Sequence, residues 1–241
     1  MESIPGLRDM ETTKSMIKNL NLAHWMTQSK FYGSKLAKNK KLVALSFDDG
    51  PHYRNTLSVI KTLNNNNAQA TFFWIAEFAI NLAQSHPTLF RKIILEIQKN
   101  KHEIGLHAPY DFKPTLSSRL YGHFSKDQLK KAKDIIENLS GTNINLYRPH
   151  NAQLGSSIIY AKELGMTTVI GDLFRYARPD ESIHTQVKRL SGAKAGSILL
   201  LHDGQVKSLK INHILKVLPE VIKRLKENGL NPTSVSNVLR N

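Results

Sequence analysis

Alternation constrains this chain more than any other feature. From Lys41 onward, short β-prone apolar runs take turns with segments whose apolar residues recur at helical spacing. The runs are LVALSF (42–47), ATFFWI (70–75), HEIGLH (102–107), Asn145–Tyr147, Thr168–Ile170, Ser197–Leu201 and a short one at Thr233–Val235. Between them the spacing predicts helices over Asn55–Leu63 (Leu57, Ile60, Leu63), Pro87–Gln98 (Leu89, Ile93, Ile94, Ile97), Lys126–Leu139, Ser157–Leu164 and Ile211–Asn228, the last ended by Gly229. Strands that alternate with helices of this length imply parallel βαβ units, hence an α/β sheet or barrel. No internal repeat is visible, the only low-complexity stretch is Asn64–Asn67, and no linker divides the region. The expected organisation is one domain over 40–241. A polar, basic N-terminal extension over 1–39 precedes it, with one weakly amphipathic stretch (Met16, Ile17, Leu20, Leu22, Trp25, Met26).

Composition narrows the chemistry. The chain has no cysteine, which excludes disulfides, thiolate metal sites and cysteine nucleophiles, so any metal must sit on His, Asp or Glu. Lys and Arg number 34 against 19 Asp and Glu, a net charge of +15, which raises nucleic-acid binding as an alternative. The lysines come as singles and pairs, however, the pattern of a solvated basic surface. No apolar run reaches the length of a membrane span. The N-terminus lacks the basic, apolar, small-residue order of a secretory signal, so the expected location is cytoplasmic.

In parallel α/β folds the loops at the C-terminal ends of the strands converge on one face, and functional residues gather there. The strand ends of this chain carry Asp48, Asp49, His107, Asp111, Arg148, His150, Asp172, His202 and Asp203. Ionisable groups near a core are costly unless paired or metal-bound, so such a series is poor core filler. Adjacent carboxylates on an extended strand point to opposite sides, leaving one of Asp48 and Asp49 for a cation and the other for a base; a simple Asp-Asp-Gly-Pro turn is the alternative. His107 and Asp111 can supply two ligands of a zinc-type site with Asp49 as the third, and His123 is an alternative nitrogen ligand. A hydrogen-bonded core histidine is the plainer reading of His107. His202, at the end of an apolar strand, faces the same cleft and is placed to act as general acid.

Taken together, SFDDGP (46–51), ATFF (70–73), HEIGLHAPYD (102–111), YRPH (147–150) and ILLLHDG (198–204) resemble, in order and spacing, the motif series of the polysaccharide deacetylases, the NodB-like carbohydrate esterases. The resemblance runs from about Leu42 to Leu239. It implies a distorted (β/α) barrel, related to the TIM barrel, with a divalent-metal site that hydrolyses N-acetyl groups on amino-sugar polymers such as chitin or peptidoglycan. Carried over by position, Asp49 and His107 are metal ligands, Asp48 is the catalytic base, Arg148 holds the base and His202 is the general acid. A backbone N–H near Asn151 would stabilise the oxyanion, and Leu201 would sit by the acetyl methyl. Zinc is the expected ion, with cobalt, nickel or manganese as alternatives.

Three departures stand out. The family's second metal-binding His falls on Asp111, giving an expected Asp49, His107, Asp111 site that is harder and more anionic. The family's Arg-Pro-Pro-aromatic-Gly motif reads RPHNA here, which places His150 and Asn151 where the sugar groove is shaped, as substrate-binding residues. The position that orients the acid His is Ala177, with Asp172 or Asp180 as substitutes. The leading expectation is therefore an active deacetylase. A catalytically silent barrel that binds carbohydrate, and a basic nucleic-acid-binding protein, are the alternatives.

Overall fold

The computed structural model describes residues 29–30, 38–113, 115, 123–150, 155–171, 181–204 and 213–240. Among the described residues eight strands form one sheet: β1 (Ser29–Lys30), β2 (Leu42–Gly50), β3 (Thr71–Ile75), β4 (Glu103–Ala108), β5 (Leu146–Tyr147), β6 (Thr167–Val169), β7 (Ile198–His202) and β8 (Asn231–Thr233). Their order is β1-β6-β5-β4-β3-β2-β7, with β8 paired to β2, and every pairing is parallel. This is the parallel α/β arrangement the alternation implied and the distorted (β/α) barrel the family resemblance implied. Within the expected N-terminal extension, β1 takes part in the sheet by pairing with β6.

Eight helices accompany the strands among the described residues: α1 (Thr56–Asn65), α2 (Ala76–Ser85), α3 (Pro87–Lys99), α4 (Lys126–Ser140), α5 (Ser157–Glu163), α6 (Ile183–Ser191), α7 (His213–Glu227) and α8 (Val235–Leu239). α7 presents Ile214, Val217, Leu218, Val221, Ile222 and Leu225 to the core, an unbroken stripe at helical spacing. Full burial of each such side chain is worth about 1.5–3 kcal/mol relative to exposure. α4 opens with a capping box between Ser125 and Gln128 and ends at Gly141, whose φ of 66° is the left-handed cap geometry that glycine adopts without strain. β2 and β3 are buried along almost their whole length, as parallel strands covered on both faces must be.

The helices α2, α6 and α8 were not anticipated from the sequence. α2 follows β3 with no intervening Gly or Pro, so ATFFWIAEFAI is one apolar run in which the period changes from two to 3.6 without punctuation. The last strand lies two residues earlier than expected. Val235 N–H donates to the Thr71 hydroxyl at 2.9 Å, and the chain leaves the sheet there to begin α8. The predicted start of the long helix, 211–212, lies outside the described residues.

Candidate active site

The site is built on the C-terminal end of β2. Here the simple alternation rule fails, because Asp49 adopts φ +64° and the register against β3 shifts between Phe47 and Gly50. The left-handed conformation turns Asp49 back towards the cleft, so Asp48 and Asp49 both face His107 instead of opposite sides of the sheet. Such a backbone costs about 1–3 kcal/mol and persists only when its surroundings impose it. They do so through glycine. A Cβ on Gly204 would lie 1.6 Å from the Asp49 carbonyl oxygen, so the turn after β7 can press against Asp49 only as glycine. Asp203, fully buried, accepts from the Thr56 hydroxyl at 2.5 Å, and its backbone N–H donates to the Asp48 carbonyl at 3.3 Å.

Behind the turn, Asp48 is held by a buried cation. Arg148 Nη1 donates to Asp48 Oδ1 at 2.7 Å and to Ser46 Oγ at 2.8 Å, and its Nε donates to the Val169 carbonyl at 3.3 Å. The guanidinium lies over the Phe73 ring at 4.1 Å. Asp48 and Arg148 are 3% and 2% exposed, which leaves neither charge a water shell to fall back on. In register, Asp48 stands beside His202 across the β2–β7 pairing.

Three side chains converge in front of this pair. His107 Nε2 is 3.4 Å from Asp49 Oδ1, and His150 Nδ1 is 3.5 Å from the same oxygen. The ligand atoms of Asp49, His107 and His150 all lie within 4.8 Å of one another. Atoms about 2.0–2.1 Å from a tetrahedral zinc are about 3.3–3.4 Å apart, so the two measured separations match two edges of such a site. Asp49 Oδ1 and His150 Nδ1 are buried without a hydrogen-bond partner, the condition of atoms awaiting a cation. His107 Nδ1 lies 2.8 Å from the Arg148 carbonyl, which directs Nε2 into the site.

The other sequence-predicted residues fall as follows. Asp111, expected as the third ligand, stays outside this group: its Oδ1 is 3.4 Å from His150 Nε2, on the far side of the imidazole from Asp49. His150, expected to line the sugar groove, takes the third place in the group instead. The physical reason is burial: each lies three residues past its strand, but His150 is 8% exposed with its ring against His107, whereas the Asp111 side chain is 52% exposed. His123, the alternative ligand, stacks on Phe112 at 3.9 Å. His202 Nε2 is 3.9 Å from Asp49 Oδ2, at the edge of the cleft. Leu201 is buried in the core one residue earlier. Asn151, Asp172, Ala177 and Asp180 lie outside the described residues.

The sequence model of the polysaccharide deacetylase family matches residues 35–169, more than half of the chain. The chain belongs to the polysaccharide deacetylase family. It is 32% identical over 218 residues to a peptidoglycan-N-acetylglucosamine deacetylase of Bacillus cereus, covering 86% of this chain and 92% of that protein. It is also 28% identical to a chitooligosaccharide deacetylase of Azorhizobium caulinodans, over 71% of this chain and 78% of the relative. In three dimensions it superposes on the crystal structure of a peptidoglycan N-acetylglucosamine deacetylase with a TM-score of 0.71 at 24% identity, covering 89% and 95% of the two chains. The deacetylase fold is thus shared over nearly the whole described molecule.

The electrostatics of this deacetylase-family site keep Asp49 ionised among the three histidines. Burial alone would raise the Asp49 carboxyl, yet the contact and charge of His107, joined by His202 and His150, bring it down to about 2. For His107 burial lowers the pKa, but Asp48, Asp49 and the Arg148 carbonyl outweigh it and raise it. His150 is lowered by burial and by the charge of His107, against the pull of Asp49 and Asp111. An anionic Asp49 beside a His150 that resists protonation is a donor set suited to a divalent ion. A signal for His150 was present in the sequence, since one strand-end position lacks the family's His while another carries a His the family lacks. The contribution of Thr56 was not legible, because a threonine on a helix announces no partner 147 residues away.

Proposed function

We propose that this chain is a metal-dependent deacetylase that removes N-acetyl groups from an amino-sugar polymer of the peptidoglycan type, with Asp49, His107 and His150 holding the ion. The observation that carries the reading is the convergence of Asp49 Oδ1, His107 Nε2 and His150 Nδ1 beside the Asp48–Arg148 pair. Two nitrogens and one carboxylate oxygen favour zinc over the harder ions that an Asp, His, Asp set would suit. When bound, the ion supplies Lewis-acid polarisation of the acetamide carbonyl and eases ionisation of water.

The chain's own residues supply the proton traffic. Asp48, oriented by Arg148 and Ser46, takes the proton from the attacking water as the new C–O bond forms. His202, beside Asp48 across the two strands, gives a proton to the sugar nitrogen as the C–N bond breaks, releasing acetate and a free amine. The net charge of +15 complements the carboxylates of a peptidoglycan strand. The names of the Bacillus cereus relative and of the superposed structure support the same substrate class.

The test is acetate release from peptidoglycan strands and N-acetylglucosamine oligomers by zinc-loaded protein. Asp48→Asn and His202→Ala should each lower turnover by about 10²- to 10⁴-fold while retaining the metal. Zinc-loaded protein that binds these glycans and releases no acetate would overturn the proposal in favour of a binding module.

A further inference from the structure

His150 is flanked by two carboxylates, one on each ring nitrogen. Nδ1 lies 3.5 Å from Asp49 Oδ1 and Nε2 lies 3.4 Å from Asp111 Oδ1. The Nδ1 side is buried and has no hydrogen-bond partner, while the Nε2 side meets a half-exposed carboxylate. We propose that Asp111 is a positioning residue for a relocated third ligand: it accepts the Nε2–H of His150 and thereby presents the Nδ1 lone pair to the metal. This rests on the metal site proposed above and assigns Asp111 a place behind the ligands instead of among them.

The chemistry follows from the imidazole. A neutral His carries one N–H, and an ionised carboxylate can only accept, so Asp111 fixes the proton on Nε2 and leaves Nδ1 as the donor atom. His107 is arranged in the opposite sense, its Nδ1 against the Arg148 carbonyl at 2.8 Å and its Nε2 towards Asp49. Each ligand His therefore has an acceptor at its back, one a backbone carbonyl and the other a carboxylate.

The segment that carries Asp111 is built to aim it. Phe112 stacks on His123 at 3.9 Å with an interplanar angle of 6°, and meets Phe124 edge-on at 4.9 Å. Tyr110 packs edge-on against Phe124 at 5.3 Å. Residues on both sides of Asp111 are thus fixed to one aromatic wall. Phe112 is also 5.4 Å from the His150 ring, and the His107 ring meets His150 edge-on at 4.8 Å, so the imidazole is confined from two directions. The two departures from the family pattern form one unit: the His missing at 111 is replaced by the His at 150, and the carboxylate at 111 faces the nitrogen that the relocated His turns away from the metal.

The experiment is a double-mutant cycle on zinc affinity, measured by competition with a chromophoric chelator on the full chain. Asp111→Ala should weaken zinc by about 10- to 100-fold. His150→Ala should weaken it more, and the double variant should bind no worse than His150→Ala alone, because Asp111 acts through His150. Asp111→Asn, whose side-chain oxygen still accepts, should recover most of the affinity. Long-range ¹H–¹⁵N spectra of the zinc-loaded protein should show His107 bound through Nε2 and His150 through Nδ1, a pattern that Asp111→Ala disturbs at His150 only. If His150→Ala fails to fold, those spectra on the Asp111 variants decide. Wild-type protein that takes up no zinc would sink the metal site itself. Wild-type protein that binds zinc but loses affinity additively in the two single variants, or is indifferent to Asp111→Ala, would leave the site standing and refute the positioning role.

Discussion

Replacing Arg148 by Met probes the structural support of the proposed base. The guanidinium that donates to Asp48 at 2.7 Å and lies over Phe73 is lost, while the methionine refills part of the space with an apolar chain. Asp48 would remain as a carboxylate 3% exposed with its buried partner gone, and Ser46 Oγ and the Val169 carbonyl would each lose a donor. Breaking a buried ion pair by removing one partner costs about 3–5 kcal/mol. For a chain of this size each kcal/mol corresponds to about 2–4 °C in the melting midpoint, so the expected fall is about 6–20 °C. The assay is thermal and urea unfolding with a chelator present, because a cation near Asp49 would partly neutralise Asp48. Adding Asp48→Asn to the Arg148→Met background should restore much of the loss, since no uncompensated charge then remains. A destabilisation below about 1 kcal/mol, the range of an exposed pair, or a double variant no more stable than Arg148→Met, would refute this account of how Asp48 is held.

Further outcomes follow from the same geometry. Gly204→Ala places a Cβ 1.6 Å from the Asp49 carbonyl, so Asp49 must move by more than about 1 Å, well beyond the ~0.2 Å that metal–ligand distances tolerate; zinc affinity measured by chelator competition should fall more than the melting midpoint suggests, and unchanged affinity would show that the turn can yield. Asp203 is raised to about 7, chiefly by burial and then, against the Thr56 hydrogen bond, by the charges of Asp49 and Asp48. Its folded pKa exceeds the unfolded one, so its contribution is most favourable below about pH 4 and declines as pH rises to about 7, by up to about 4 kcal/mol. Asp203→Asn should flatten that slope in metal-free urea unfolding, and an unaltered slope would assign the titration to another group.

The alternation of strands and helices was legible because the strands are buried on both faces and the long helices carry clean stripes, such as Ile214 to Leu225 on α7, and the motif series narrowed sheet or barrel to the barrel. What escaped the sequence was local and steric. α2 was hidden because it continues an apolar strand without a breaker. The paired orientation of Asp48 and Asp49 was hidden because a left-handed Asp49 depends on Gly204, 155 residues away in sequence. The proposed base and acid, Asp48 and His202, were legible as strand-end residues, and the structure sets them side by side in register. The third member of the Asp49, His107 and His150 group was the least legible element: spacing favoured Asp111 because it counts residues along one loop, whereas the geometry depends on β5 lying next to β4, which delivers His150 beside His107.

The most direct measurement is a zinc titration of chelator-stripped protein in which bound metal and acetate release from an N-acetylated peptidoglycan strand are followed together. Acetate release should start near zero, rise in proportion to bound zinc and saturate at one ion per chain, and His150→Ala should lose both signals while Asp48→Asn loses only the second. Full acetate release from metal-free protein, or an intact zinc site in a folded His150→Ala variant, would contradict the assignment of Asp49, His107 and His150 as the metal centre.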